Sequence, residues 1–204
     1  MVQEQTPRLL EIFRDFVKPG SEAAFRSVEE DAARICAELG CPHPHLAIES
    51  LTGPREVWWL NAFESEAQYQ RVVDAYRSNR ALATALEEIT RRREGLIFSP
   101  IDLLTTYRPD RSRDARWKLG GARFFVAAMT KREDGLAGSV FEAPQGERFI
   151  LRPVAEREEA NSFASAGGAE TRVFAVRPYW GMPASEWIRS DPDFWSESPM
   201  SRSR

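Results

Sequence analysis

The chain has 204 residues, 42% of them hydrophobic, so it can bury a core as one large domain or two small ones. Its charged residues, 29% of the total, give a net charge of -3, which excludes the strongly basic surface of typical nucleic-acid-binding proteins. No apolar run approaches the roughly 20 residues of a membrane-spanning helix, and the N-terminus lacks a secretory signal pattern. We therefore expect a cytoplasmic protein that binds neither nucleic acid nor membrane.

The first half of the chain predicts four strands and two long helical regions. Strands are indicated by β-rich runs between Gly and Pro turns, and helices by apolar residues at intervals of three and four. In chain order these are strand Leu9 to Val17, helix Ser21 to Gly40, strands His45 to Leu51 and Arg55 to Phe63, helix Glu64 to Gly95 with a break at Ser78-Asn79, and strand Ile97 to Tyr107. The order is that of a ferredoxin-like βαββαβ domain at residues 1–108, whose helices cover one sheet face and leave the other bare.

The second half is less regular. A charged segment with Pro109 and Gly120-Gly121 predicts a linker at residues 109–121. Beyond it we expect strands Arg123 to Met129, Ser139 to Glu142, Arg148 to Val154 and Arg172 to Arg177, a helix from Ala155 to Ala166 that stops at Gly167-Gly168, and a final turn at Pro183 to Ile188. This order predicts a degenerate second ferredoxin-like domain at residues 122–204, in which the loop Lys131 to Gly138 replaces the first helix. The predicted fold class is α+β, with tandem ferredoxin-like halves and antiparallel sheets.

Two short motifs carry a family resemblance: Lys18-Pro19-Gly20 after the first strand, and Val57-Trp58-Trp59-Leu60-Asn61 before a long helix. With that helix, they resemble the dimeric α+β-barrel superfamily, which includes antibiotic-biosynthesis monooxygenase-like and NIPSNAP-like proteins. The resemblance implies two sheets that close face to face into a barrel, within one tandem chain, and it leaves a further homodimer open. Its members include cofactor-independent oxygenases, haem enzymes, isomerases and proteins without known activity, so the fold alone does not predict the function.

No cofactor is predicted. The haem-degrading relatives place an axial histidine on the second long helix, and the corresponding segment here, Glu64 to Glu94, contains none. The sequence also lacks a phosphate-binding glycine loop, a dinucleotide fingerprint and a nucleophile elbow. Nucleotide-dependent and serine-hydrolase chemistries are therefore not expected.

Two adjacent tryptophans indicate that both faces of the third strand are covered. Side chains alternate across a strand, so Trp58 and Trp59 face opposite sides. We predict that Trp58, Leu60 and Ala62 pack under the helices. Trp59 and Asn61 then face the bare side, toward the second half of the chain.

The same alternation gathers polar residues on that side. It adds His45 and Glu49 from the second strand and Glu11 from the first. We predict a pocket between the halves for a small aromatic or enolisable organic molecule, with His45 or Glu49 as the catalytic general base and Glu11, Trp59 and Asn61 as substrate-binding residues. The function predicted is a cofactor-independent monooxygenase-like or isomerase-like enzyme.

The polar residues and the cysteines also allow other interpretations. The polar residues could instead pair with one another across the seam between the halves, as buried polar groups must, in a non-catalytic binding or scaffold protein. His43, His45 and Glu49 share a parity that suits a metal site, but His43 lies between two prolines and no metal is predicted. Cys36 and Cys41 have no second pair for a zinc site and are interpreted as reduced thiols.

Three further groups are interpreted as structural. Tyr69 and Tyr76 have the helical spacing of core residues. The run Arg91 to Arg93 is typical of a solvated helix end. The aromatic residues between Tyr179 and Trp195 are expected to cover the edge of the second sheet or a subunit interface.

Overall fold

The computed structural model describes residues 5–130, 136–166 and 170–195. The strands within these ranges are β1 (Leu9–Val17), β2 (Leu46–Ser50), β3 (Glu56–Phe63), β4 (Ile97–Tyr107), β5 (Phe124–Thr130), β6 (Ser139–Glu142), β7 (Arg148–Val154) and β8 (Thr171–Val176). The helices are α1 (Glu22–Leu39), α2 (Glu66–Ser78), α3 (Arg80–Glu94), α4 (Arg157–Ala166), α5 (Ser185–Ser190) and α6 (Pro192–Trp195). The predicted elements are confirmed to within a few residues. Residues 131–135 of the loop predicted to replace a helix lie outside the described ranges, as do Gly167 and Gly168.

Local sequence explains where the helices of the first half begin and end. Gly40, with φ of 74°, is the left-handed residue that terminates α1, as glycine does at many helix ends. Ser65 accepts a hydrogen bond from the Gln68 amide and begins α2. At Asn79 the backbone leaves the helical conformation, and its side chain accepts a hydrogen bond from the Leu82 amide to begin α3. The predicted break is therefore confirmed.

The eight strands form one closed antiparallel barrel in the order β1-β3-β2-β8-β5-β7-β6-β4. Each half supplies four consecutive strands in ferredoxin-like order, β4-β1-β3-β2 and β8-β5-β7-β6. The halves join where Ile48 pairs with Val176 and where Tyr107 pairs with Phe141. The predicted fold class is thus confirmed, within a single chain. The division into domains at residues 108 and 122 and the homodimer stay predictions.

The barrel interior is a packed core that both halves build. Trp58 lies 5.8 Å from Phe149 and 5.1 Å from Phe174, measured between ring centroids, so one indole contacts both partners from the second half. Leu10 and Ile12 of β1 belong to the same buried cluster. An eight-stranded barrel is just wide enough for side chains to fill it. Among the described residues, aromatic and aliphatic side chains occupy the space between the halves, so the pocket predicted there is wrong.

The predicted orientation of β3 is also wrong. Trp59, and not Trp58, packs under the helices, where its ring lies 6.4 Å from that of Phe25 on α1. Both tryptophans are buried, with exposed fractions of 2% and 7%. Alternation correctly assigns the β3 side chains to two opposite faces. Because both faces are buried, however, neither is clearly more polar, and the sequence does not indicate which face points into the barrel.

Two segments that the sequence did not assign to the barrel complete its core. The predicted linker at residues 109–121 places Trp117 and Leu119 in the interior cluster. Trp187 and Trp195 belong to that cluster too, and the Trp195 indole donates a hydrogen bond to the Gly120 carbonyl oxygen, 3.1 Å away. Trp187 and Trp195 therefore pack into the barrel core and do not simply cover a sheet edge, whereas Trp180 packs with Phe25 and Trp59 on the outer face.

Helices α1 to α4 stand on the outer face of the barrel. α4 packs on the second half against Val126, Val154 and Val173. On the first half, α1 and α3 contact each other. Within the described ranges, no helix is long and apolar enough to cross a membrane.

We predict that Trp58→Ala lowers the free energy of unfolding by about 3–5 kcal/mol, because it leaves a cavity between the two halves. Leu51→Ala, at an exposed position, is the control and should change it by no more than about 0.5 kcal/mol. Urea unfolding followed by circular dichroism measures both. Equal losses in the two variants would contradict the interior position of Trp58.

Candidate functional site

A cavity of about 400 Å³ lies between the outer face of the first-half strands and helices α1, α2 and α3. This volume falls in the range of small-molecule sites. Aromatic side chains form much of its wall, namely Phe13, Trp59, Phe63, Tyr69, Tyr76 and Trp180. Tyr69 and Tyr76, interpreted from sequence as core residues, thus border open space.

Strand register brings the polar residues of the wall together. Glu11 on β1 lies opposite Asn61 on β3, and Phe13 lies opposite Trp59. His45 precedes β2, whose register with β3 places it beside Asn61. Two backbone hydrogen bonds with Met182, both 2.9 Å long, fix its position.

Four of the five predicted site residues therefore line one cavity: Glu11, His45, Trp59 and Asn61. The cavity lies under the helices and not inside the barrel, because the strand side chains that share a face with Glu11, Trp59 and Asn61 point outward from the barrel. The roles predicted for these residues stay predictions.

Glu49, the fifth, is not among the cavity residues. Its carboxylate accepts a 2.7 Å hydrogen bond from Arg177 Nε and pairs with Arg55 through its other oxygen. Because Arg177 follows β8, the pair with Glu49 joins the two halves. Glu49 therefore fits the alternative prediction, in which polar residues pair with one another across the seam between the two halves.

The suggested metal ligands do not converge. His43 Nε2 donates a 2.9 Å hydrogen bond to the Ala62 carbonyl oxygen, and its ring stacks on Phe63. Burial lowers the pKa of His43. Among the described residues, no group of three or more His, Cys, Asp or Glu side chains is placed to hold a metal ion.

Glu11 is the wall carboxyl without a partner. In the described part of the chain it makes no hydrogen bond or ion pair. Burial first, and then the negative charge of Asp102 on β4, raise the pKa of Glu11 to about 7, against the opposing effect of His45. At neutral pH both protonation states of this carboxyl are therefore populated.

A second carboxyl, Glu29, was missed by the sequence analysis. It is 1% exposed and receives hydrogen bonds of 2.8 and 3.0 Å from Arg93, whose guanidinium lies 4.8 Å from the Trp59 ring. Burial raises the pKa of Glu29 to about 7 in spite of Arg93. One signal was available: Glu29 follows Phe25 by four residues and so lies on the apolar face of α1. The prediction of a solvated helix end is wrong for Arg93.

Comparison with solved structures identifies the fold. A candidate monooxygenase from Fusobacterium nucleatum superposes with a TM-score of 0.51 and 8% sequence identity, over 88% of this chain and 94% of that one. The chain shares an α+β barrel fold with that protein, as the family resemblance of the sequence implied. At 8% identity the likeness shows the fold and not the reaction.

Two further solved structures match a comparable share of this chain with lower TM-scores. A candidate monooxygenase from Lactobacillus acidophilus matches with a TM-score of 0.46 and 5% identity over 83% of this chain and 93% of that one. An anthrone oxidase-like protein matches with a TM-score of 0.47 and 8% identity over 87% and 94%. No protein-family model and no curated protein sequence matches the chain.

The raised pKa of Glu11 predicts a measurable pH dependence. In the unfolded chain this carboxyl ionises near pH 4.5, whereas in the folded protein it ionises near 7. As the pH rises between these values, the unfolded state loses its proton first, so the folded state becomes less stable. The urea concentration at the midpoint of unfolding should therefore fall as the pH rises from about 4.5 to about 7. Glu11→Gln should reduce this fall, and the part that remains is expected to include the contribution of Glu29.

Glu64→Gln, at an exposed position, serves as the control and should follow the wild-type profile. If Glu11→Gln also follows it, Glu11 ionises normally in the folded protein.

Proposed function

We propose that the cavity is the active site of an enzyme that removes a proton from a small organic molecule, with Glu11 as the general base. The observation that carries this proposal is the Glu11 carboxyl at the cavity wall, which has a pKa of about 7 and makes no ion pair with any described residue. A base works best when its pKa lies near the operating pH.

The remaining wall favours an aromatic or enolisable substrate. Phe13, Trp59 and Phe63 offer flat apolar surfaces. Asn61 carries both a hydrogen-bond donor and an acceptor next to Glu11, so it can orient a carbonyl or phenol oxygen of the substrate. His45 is the second group able to accept or return a proton.

Loss of a proton begins both reaction types that the fold and the site suggest. An isomerase-like enzyme returns the proton to a different atom of the substrate. A cofactor-independent monooxygenase-like enzyme lets the deprotonated substrate react with dioxygen. The likeness to a candidate monooxygenase concerns the fold, so the proposal depends on Glu11 and its surroundings.

Solvent-deuterium exchange into 2-tetralone and 2-indanone, two fused-ring ketones with acidic carbon-bound hydrogens, tests this function. The purified protein in deuterium oxide should catalyse exchange, observed by proton NMR. Glu11→Gln should lower the exchange rate by at least about 100-fold, the usual effect of removing a general base. Glu64→Gln should retain the wild-type rate.

Ligand-observed NMR on the same samples separates binding from catalysis. Binding without exchange favours the non-catalytic binding protein, and exchange that survives in Glu11→Gln removes Glu11 from the role of base. If neither ketone binds, the proposed substrate class is wrong. Dioxygen uptake alongside exchange favours the monooxygenase-like reaction, and exchange alone favours the isomerase-like one.

A further inference from the structure

Two cysteines meet at the end of α1, beside the cavity. Gly40 reverses the chain direction, and the Cys41 amide donates a 2.8 Å hydrogen bond to the Cys36 carbonyl oxygen. This turn places Cys41 over the last helical turn, where both residues belong to one cluster of packed side chains. Cys36 is 6% exposed and lines the cavity, whereas Cys41 is partly exposed.

The surroundings of the two sulfurs differ. Cys41 Sγ lies 2.7 Å from the hydroxyl oxygen of Tyr76 on α2, and it also interacts with the Cys36 thiol and with His45. The Cys36 thiol, then His45 and Tyr76, lower the pKa of Cys41 to about 4. Interaction with Cys41 and burial raise the pKa of Cys36. These surroundings favour the thiolate form at Cys41 and the protonated form at Cys36.

We propose that Cys41 and Cys36 form a peroxide-reactive pair, in which Cys41 is the nucleophile and Cys36 is the resolving thiol. The geometry supports this division of roles. Cys41 is the more exposed residue, and its sulfur lies within hydrogen-bond distance of the Tyr76 hydroxyl, which can donate to a thiolate. Cys36 is buried and packs in the same cluster as Cys41. Reactive cysteines are commonly accessible thiolates placed next to a resolving cysteine. This proposal is independent of the proton transfer assigned to Glu11.

The chemistry balances with hydrogen peroxide as the oxidant. The Cys41 thiolate attacks one peroxide oxygen, the O–O bond breaks, and the hydroxide that leaves takes up a proton to become water, so Cys41 becomes a sulfenic acid. The Cys36 sulfur then attacks the Cys41 sulfur, the S–O bond breaks, and the hydroxyl leaves with the Cys36 proton as a second water. Two thiols and one peroxide yield one disulfide and two waters, and a dithiol reductant reverses the change.

Mass spectrometry of the reduced protein treated with stoichiometric hydrogen peroxide tests the pair. Wild type should lose about 2 Da as it forms the disulfide, and a peptide map should contain the Cys36–Cys41 bridge. Cys36→Ser should stop at a Cys41 sulfenic acid that dimedone captures. In Cys41→Ser, the matched variant, Cys36 should oxidise at least about tenfold more slowly.

Wild type alone also decides the proposal if a variant does not fold. Limiting iodoacetamide at about pH 6 should label Cys41 before Cys36, because a thiolate and not a thiol is alkylated. Equal labelling of the two residues, or peroxide treatment that yields no bridge, would overturn the proposal.

Discussion

The packed barrel interior is the constraint on which the rest of the molecule depends. Eight strands enclose a space that side chains fill, and here Trp58, Phe149 and Phe174 meet at its centre. Because side chains alternate along a strand, placing Trp58 inside places Trp59 and Asn61 outside. A ligand site built from these strands must therefore lie on the outer face, where helices stand over the sheet.

The two halves share a topology but differ in what covers their outer faces. α4 rests on an apolar cluster that includes Val126, Ile150 and Val173. The helices of the first half instead cover a cavity with charged groups at its wall. The buried Glu56 carboxylate accepts a hydrogen bond from the Trp58 indole and pairs with the partly exposed Arg172 of the second half, so an ion pair also links the halves. The candidate site thus belongs to one half, while both halves support it.

The buried carboxyl groups near α1 differ in whether an arginine lies beside them. Arg93 contacts Glu29 at 2.8 Å and Asp15 at 3.7 Å, so it offsets two of the carboxylates that burial destabilises. Glu11 makes no such ion pair within the described residues, and burial together with the negative charge of Asp102 raises its pKa to about 7. His45 interacts electrostatically with both Glu11 and Cys41, so it lies between the carboxyl part of the site and the cysteine pair.

The sequence alone determined the order of the elements and the grouping of side chains along each strand. Helical spacing, Gly40 and Asn79 fixed the helices, and alternation placed Glu11, Trp59 and Asn61 in one set. These are local properties of the backbone, so they can be predicted from neighbouring residues.

The tertiary structure decided which set faces the interior and where Trp117 and Trp195 pack. It also decided that Glu49 pairs with Arg177, while Glu11 makes no ion pair within the described residues. Those outcomes depend on contacts between residues distant in sequence. Both faces of the first sheet are buried, so the sequence carries no contrast in polarity that selects one of them.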